Sequence, residues 1–217
     1  MTVVILDIDG TLVDSNYHHA IAWHRALHRF DVVVPLWRIH RHMGMGGDQV
    51  VQALTNQDTE NDLGDDIRDA EKDLYRELID EVQPIAGARA FVEELRGRAH
   101  TIVLASSAKH DEVDHYIDLL DLRPLIDAHT TAADVEKTKP HPDLVHVALK
   151  KVAGEPSDAV MVGDTTWDIA AASKVGLPTF AVLTGGYGRE ELAEAGAIAV
   201  YESVAEMKEK LDGTQLG

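Results

Sequence analysis

Residues 3–15 read Val3-Val4-Ile5-Leu6-Asp7-Ile8-Asp9-Gly10-Thr11-Leu12-Val13-Asp14-Ser15. Four apolar, mostly β-branched residues run straight into turn chemistry, which predicts a short strand buried on both faces. Two carboxylates, Asp7 and Asp9, stand two residues apart at its C-terminal end, with Gly10 after them. An isolated Asp-x-Asp is equally a polar turn leaving a strand. In the longer string one carboxylate can act as nucleophile and the other as general acid and base. Clustered acids also make an oxygen-rich site suited to Mg²⁺.

Similar apolar runs follow at Thr101–Ala105, Ala159–Val162 and Thr179–Leu183, with weaker ones near Ile126–Thr130 and Ala197–Tyr201. Helical periods lie between most of them. Val113, Ile117 and Leu120 mark one, and Leu144, Val145, Ala148, Leu149 and Val152 another, opened by Pro142. Ile169 and the alanines after it mark a third, closed by Gly176. Strands alternating with helices predict an α/β fold, a parallel sheet covered on both faces.

Residues 15–83 differ. Ala20, Trp23, Leu27 and Phe30 keep a helical period after an Asp14-Ser15 start, and Leu63, Ile67, Ala70, Leu74 and Leu78 form a longer stripe. No strand interrupts them, so an all-helical insert of about four helices is expected after the first strand. Residues 12–15 lead out and 82–87 lead back, since Pro84 disfavours helix at Gln83. The expected division is a core of residues 1–14 and 84–217 and an inserted domain of 15–83, joined by two linkers that form a hinge.

A chain of 217 residues suits one or two domains, and its formal net charge is −18. That field disfavours nucleic acid and anionic membrane as partners, and a phosphorylated ligand would need local positive charge at its site. The absence of cysteine excludes disulfides, thiolate catalysis and Cys-based zinc sites. No apolar stretch approaches the roughly 20 residues of a membrane span. The first strand is too short for a signal peptide, so a cytoplasmic location is expected. A monomer or homodimer is expected.

Three further pieces bear on chemistry. Ser106-Ser107 follows the strand Thr101–Ala105, where hydroxyls and free backbone N–H groups suit a phosphate, although serines there are also ordinary helix caps. Lys139 stands in Lys139-Pro140-His141-Pro142-Asp143 as a fixed positive charge, with Lys137 as a competitor. Asp164 ends a strand and Asp168 comes one helical turn later; the pair can also be a capping acid and a first-turn acid. Asp7, Ser106, Lys139 and Asp164 all fall at or soon after predicted strand ends, which converge on one crevice in a parallel sheet. Together they supply a nucleophile, an acid/base, a metal site, a hydroxyl anchor and a cation, which phosphoryl transfer requires.

With these strings in place, the chain resembles the haloacid dehalogenase superfamily. The matches are DIDGTLVDS at 7–15, LASSA at 104–108, TKPHPD at 138–143 and VGDTTWDIAAASKVGLPT at 162–179, in the family's order and spacing. The resemblance implies a Rossmann-like core with a small α-helical cap. It implies that Asp7 becomes phosphorylated and that Asp9 protonates the leaving group and then activates water. Asp7 and Asp164 would give carboxylates to Mg²⁺, and Asp9 its backbone carbonyl. Ser106, Ser107 and Lys139 would hold the phosphoryl group, and Asp168 would support the metal site from behind. The dehalogenase and phosphonatase branches both lack the second aspartate, which is present here as Asp9. The expected activity is Mg²⁺-dependent hydrolysis of a small phosphorylated metabolite, and the alternative is a sugar-phosphate mutase of the β-phosphoglucomutase type.

Tyr17-His18-His19-Ala20-Ile21-Ala22-Trp23 resembles the start of the mutase cap, with His19 and Trp23 on one helix face as possible substrate contacts. Equally, Trp23 is cap core and His19 a surface residue. Gly47 stands where the mutase has an arginine for its distal phosphate, and Gly163 where it has an acid. The tail from Gly185 to Leu192 is similar to phosphoglycolate phosphatases. Arg38, His40, Arg41 and His42 are basic in an acidic chain. Arg38 and Arg41 either supply the positive field that a phosphate needs or belong to a solvated face.

Overall fold

The computed structural model describes residues 2–217. Six strands form one parallel sheet: β1 (Val3–Leu6), β2 (Thr101–Ala105), β3 (Ala128–Thr130), β4 (Ala159–Gly163), β5 (Thr179–Val182) and β6 (Ala199–Tyr201). Their spatial order is β3-β2-β1-β4-β5-β6. β1 is central, with Leu6 opposite Leu104 on one side and Val162 on the other. Val4 and Leu6 enter a core that contains Phe91, Leu104, Ile117 and Val162. Val3 and Ile5 point the other way, into a core with Val103, Leu149 and Met161. A strand covered on both faces has no polar side to show, which explains its uninterrupted apolar sequence.

The covering helices are α5 (Ala88–Gly97), α6 (His110–Leu119), α7 (Asp143–Lys151), α8 (Thr166–Ser173), α9 (Arg189–Glu194) and α10 (Val204–Glu209). The sequence periods locate α6, α7 and α8, and leave α5, α9 and α10 unassigned. β3 and β6 are shorter than their apolar runs.

Between β1 and α5 lie α1 (Asn16–Arg29), α2 (Leu36–His40), α3 (Gly47–Leu54) and α4 (Gln57–Arg76), the four helices expected there. α4 packs on α1 and α3, and α1 also meets α2. Ser15 occupies the cap position of α1 but makes no side-chain cap bond. Its hydroxyl donates instead to Asp9 Oδ1 at 2.6 Å. The outgoing and returning segments lie side by side: Val13 pairs antiparallel with Pro84. Asp14 N–H donates to the Gln83 carbonyl and Ile85 N–H to that of Leu12, both at 2.9 Å. No helix among the described residues is long and apolar enough to cross a membrane.

Candidate active site

Because β1 and β4 are neighbours, the residues just beyond their ends are neighbours too. Asp7 N–H still donates to the Val162 carbonyl at 2.9 Å, and Asp164 follows one residue after the end of β4. Asp7, Asp164 and Asp168, all buried, each offer a carboxylate oxygen within 4.8 Å of the others. Lys139 comes in from the loop before α7 and is 1% exposed. Its ammonium pairs with Asp7, and with Asp168 at 2.7 Å. Lys137 is exposed, so the structure separates the two competing lysines.

Asp164 is held by a 2.9 Å bond from the Thr11 hydroxyl and a 2.8 Å bond from the Asn16 amide. Gly10 has φ +75°, and a Cβ there would run into Asp164 and Asn16; only glycine turns the chain this close to the carboxylate. The capping reading of Asp164 is corrected here. Thr165 caps α8: its hydroxyl oxygen accepts from Asp168 N–H at 3.3 Å, and its backbone N–H donates to the Asp168 carboxylate at 3.1 Å.

Burial pushes the Asp164 carboxyl up to about 7, helped by the charge of Asp168 and opposed by the bonds from Thr11 and Asn16. Burial also holds Asp7 well above the usual carboxylate range against the pull of Lys139, with Asp168, Asp164 and Asp9 adding repulsion. One buried ammonium faces three buried carboxylates. The cluster is therefore short of positive charge, and its all-oxygen donor set suits a hard divalent cation.

Asp9 lies to one side. Burial would raise its carboxyl, but the hydrogen bond and charge of His19 and the bond from Ser15 outweigh this and hold it below its ordinary value. His19 stands 3.5 Å from Asp9 through Nε2 and 3.3 Å from Glu71 through Nδ1, and stacks on Tyr75 at 3.6 Å between ring centroids. Burial would lower its pKa, yet the two carboxylates raise it to about 10, so both ring nitrogens donate at neutral pH. Thus His19 joins α1, α4 and Asp9 rather than facing solvent.

A cavity of about 210 Å³ opens between the strand ends and the helical insert, lined among others by Asp7, Asp9, His19, Trp23, Ser107 and Lys139. Ser106 and Ser107 divide. Ser106 Oγ donates to Asp9 Oδ2 at 3.2 Å and accepts from Ala108 N–H at 2.9 Å. Ser107 Oγ is buried with no partner and belongs to the cavity wall. Arg38 and Arg41 are not in the wall. Arg38 is exposed, while Arg41 pairs with Glu191 and lies 4.1 Å over the Tyr187 ring. His40 Nε2 donates to the Gly185 carbonyl at 3.1 Å. Segment 38–42 therefore fastens the insert to the loop after β5.

Sequence reasoning missed Asn16, Arg68, Glu71, Lys109 and Glu112, of which all line the cavity. Two carried a readable signal. Glu71 falls on the α4 stripe of Ile67 and Leu74, and Glu112 is one turn from Tyr116. An acid on an apolar helix face needs a partner, and that need points inward.

Residues 4–182 match the model of the Haloacid dehalogenase-like hydrolase family. A pyrophosphatase, PpaX, of Bacillus pumilus is 26% identical over 193 residues, 88% of either chain. A hydrolase structure from Pseudomonas syringae is 31% identical, with a TM-score of 0.92 over 98% of this chain and 99% of that one. A β-phosphoglucomutase structure from Clostridium difficile shares the fold, with a TM-score of 0.82 at 18% identity over 98% of both chains. With a family match over most of its length and the motif residues gathered at the strand ends, the chain belongs to the haloacid dehalogenase-like hydrolases.

Proposed function

We propose that the protein is a Mg²⁺-dependent phosphatase that hydrolyses a small phosphorylated metabolite through a phosphorylated Asp7. The observation that carries this reading is the buried group of Asp7, Asp164, Asp168 and Lys139, of which Asp7 and Lys139 line a small cavity together with Asp9. The Asp7 and Asp164 carboxylates and the Asp9 backbone carbonyl would hold Mg²⁺, which would supply positive charge to the phosphoryl oxygens.

Asp7 attacks phosphorus as the bond to the leaving oxygen breaks. Asp9 gives that oxygen a proton. In the free protein His19 keeps Asp9 ionised, and an arriving phosphate, with water excluded, favours the protonated form that this step needs. Asp9 then takes a proton from water, which attacks the phosphorus of the acyl phosphate and frees phosphate and Asp7. Lys139, oriented by Asp168, neutralises the transferring group, and the unpartnered Ser107 hydroxyl donates to it. Residues 15–83 act as a cap that closes on the paired linkers at 12–15 and 82–85.

The mutase alternative needs a grip for a second phosphate. Arg68, which the insert brings to the cavity, is already engaged by Glu60 at 2.8 Å and Asp65 at 2.9 Å. Gly47, also in the wall, offers no side chain. The test is phosphate release from a panel of phosphorylated metabolites with Mg²⁺ and with EDTA. Release that EDTA abolishes is expected; release that persists in EDTA overturns the metal assignment, and none at all overturns the phosphatase.

A further inference from the structure

Glu112, in the first turn of α6, has no place in the chemistry above. It is 7% exposed, and what exposure it has lies in the cavity wall. Of the acids around it, Asp9 is engaged by His19, Ser15 and Ser106, and Glu71 by His19. Among the described residues Glu112 makes no hydrogen bond and no ion pair; burial pushes its carboxyl up to about 7, opposed by the charge of His19 and helped by those of Glu71 and Asp9. A glutamate at this helical position commonly reaches back to the cap N–H, and here it does not. Glu112 is a glutamate more than nine-tenths buried whose carboxylate has no partner in the protein, so a hydrogen-bond donor entering the cavity can take it up.

We propose that Glu112 is a specificity residue that selects a phosphate ester whose leaving group presents a hydrogen-bond donor, ammonium ahead of hydroxyl. The inference rests on the phosphatase reading and deepens it. Trp23, Met45, Ala108 and Val135 make the walls around it largely apolar, which limits the leaving group to a short body. Asp48, Glu71 and Glu136 add acid to the same wall. A leaving group with a second phosphate or a carboxylate meets like charge there, and of the cations at that end His19 is already engaged by Asp9 and Glu71, and Arg68 by Glu60 and Asp65. Lys109 remains, against four acids. A donor satisfies Glu112, and an ammonium also relieves the acidic field.

The experiment compares kcat/KM for four esters of similar size: 2-aminoethyl phosphate, 2-hydroxyethyl phosphate, propyl phosphate and phosphoglycolate. In the native protein the amino ester is expected to exceed propyl phosphate by about tenfold or more. The hydroxy ester should fall between them and phosphoglycolate last. In Glu112→Gln the ratio of amino ester to propyl ester should collapse by about tenfold, with phosphoglycolate gaining on both. An unchanged ratio in the variant overturns the proposal, as does a native preference for phosphoglycolate or propyl phosphate. Should the variant fail to melt cooperatively, the native order alone decides. Mg²⁺-dependent release from other esters but from neither donor-bearing one overturns the proposal and leaves the phosphatase reading standing. Release from no ester at all overturns both.

Discussion

At the sheet ends, Asp7, Lys139, Asp164 and Asp168 are each no more than 2% exposed, and Lys139 ties Asp7 to Asp168. Facing them, His19, Trp23, Arg68 and Glu71 come from α1 and α4, and the contact that joins these helices at the site, His19 to Glu71, spans 52 residues. The first group is set by strand order: once β1 lies between β2 and β4, the residues after each strand converge. The second depends on how two long helices pack and on where the insert sits. Chemistry common to a family can reside in the first group, while the second is free to differ from one chain to the next. Breaking the first should therefore abolish turnover, and breaking the second should alter affinity, pH response and choice of substrate.

After Asp7 itself, the largest effect is expected at Lys139. Lys139→Ala leaves Asp7, Asp164 and Asp168 without their cation. Phosphate release should fall by roughly 10²–10³-fold, and stability by about 3–5 kcal/mol, because a buried charge group loses its partner. Thermal melts and initial rates measure both. Lys137→Ala should change neither, and equal losses in the two variants would contradict the distinction between them.

On the insert side, His19→Gln should lower the melting temperature at pH 6 by on the order of 5 °C. The pH dependence follows from the sign of the shift. His19 has a folded pKa of about 10, above its ordinary 6.5. The stabilisation from its charge is complete below about 6.5 and is lost as pH rises through 10. The gap between native and variant melting curves should therefore close as the pH approaches 10, and a gap that stays constant would count against the charged pairing.

Smaller still is the expected effect of Trp23→Ala, a rise in KM of about tenfold with kcat little altered, since on the proposed reading the indole would wall the leaving group and not the phosphorus. Arg38→Ala, at an exposed residue outside the cavity, should stay within about twofold on both parameters. A large loss at Arg38 would return segment 38–42 to the substrate.

The same contrast explains what could be read from the sequence. β1, β2 and β4 are legible because a buried parallel strand is a continuous apolar run, and the candidate residues Asp7, Ser106 and Asp164 sit directly after those runs. The end of β1's loop and the return toward α5 are legible from Asp14-Ser15 and from Pro84, although Ser15 serves Asp9 and not the helix. Glu71, Arg68 and Glu112 were hidden because a helical period places a residue on a face without saying what the face meets. Arg38 and Arg41 misled for the same reason: local basicity carries no information about which element it packs against, and Arg41 is spent on Glu191 and Tyr187. His19 was open between a substrate contact and a surface residue until α4 supplied Glu71 and Tyr75.

The most direct test of the central claim is to trap the covalent intermediate. The protein is mixed with Mg²⁺ and a hydrolysed ester, quenched in acid within the first turnover and digested for peptide mass analysis. The account predicts a phosphoryl increment on the peptide carrying Asp7, and none in Asp7→Asn, which should fold normally yet turn over slower by a factor on the order of 10⁴ or more. A phosphoryl group on any other residue, or an Asp7→Asn variant that still releases phosphate at a comparable rate, would contradict it.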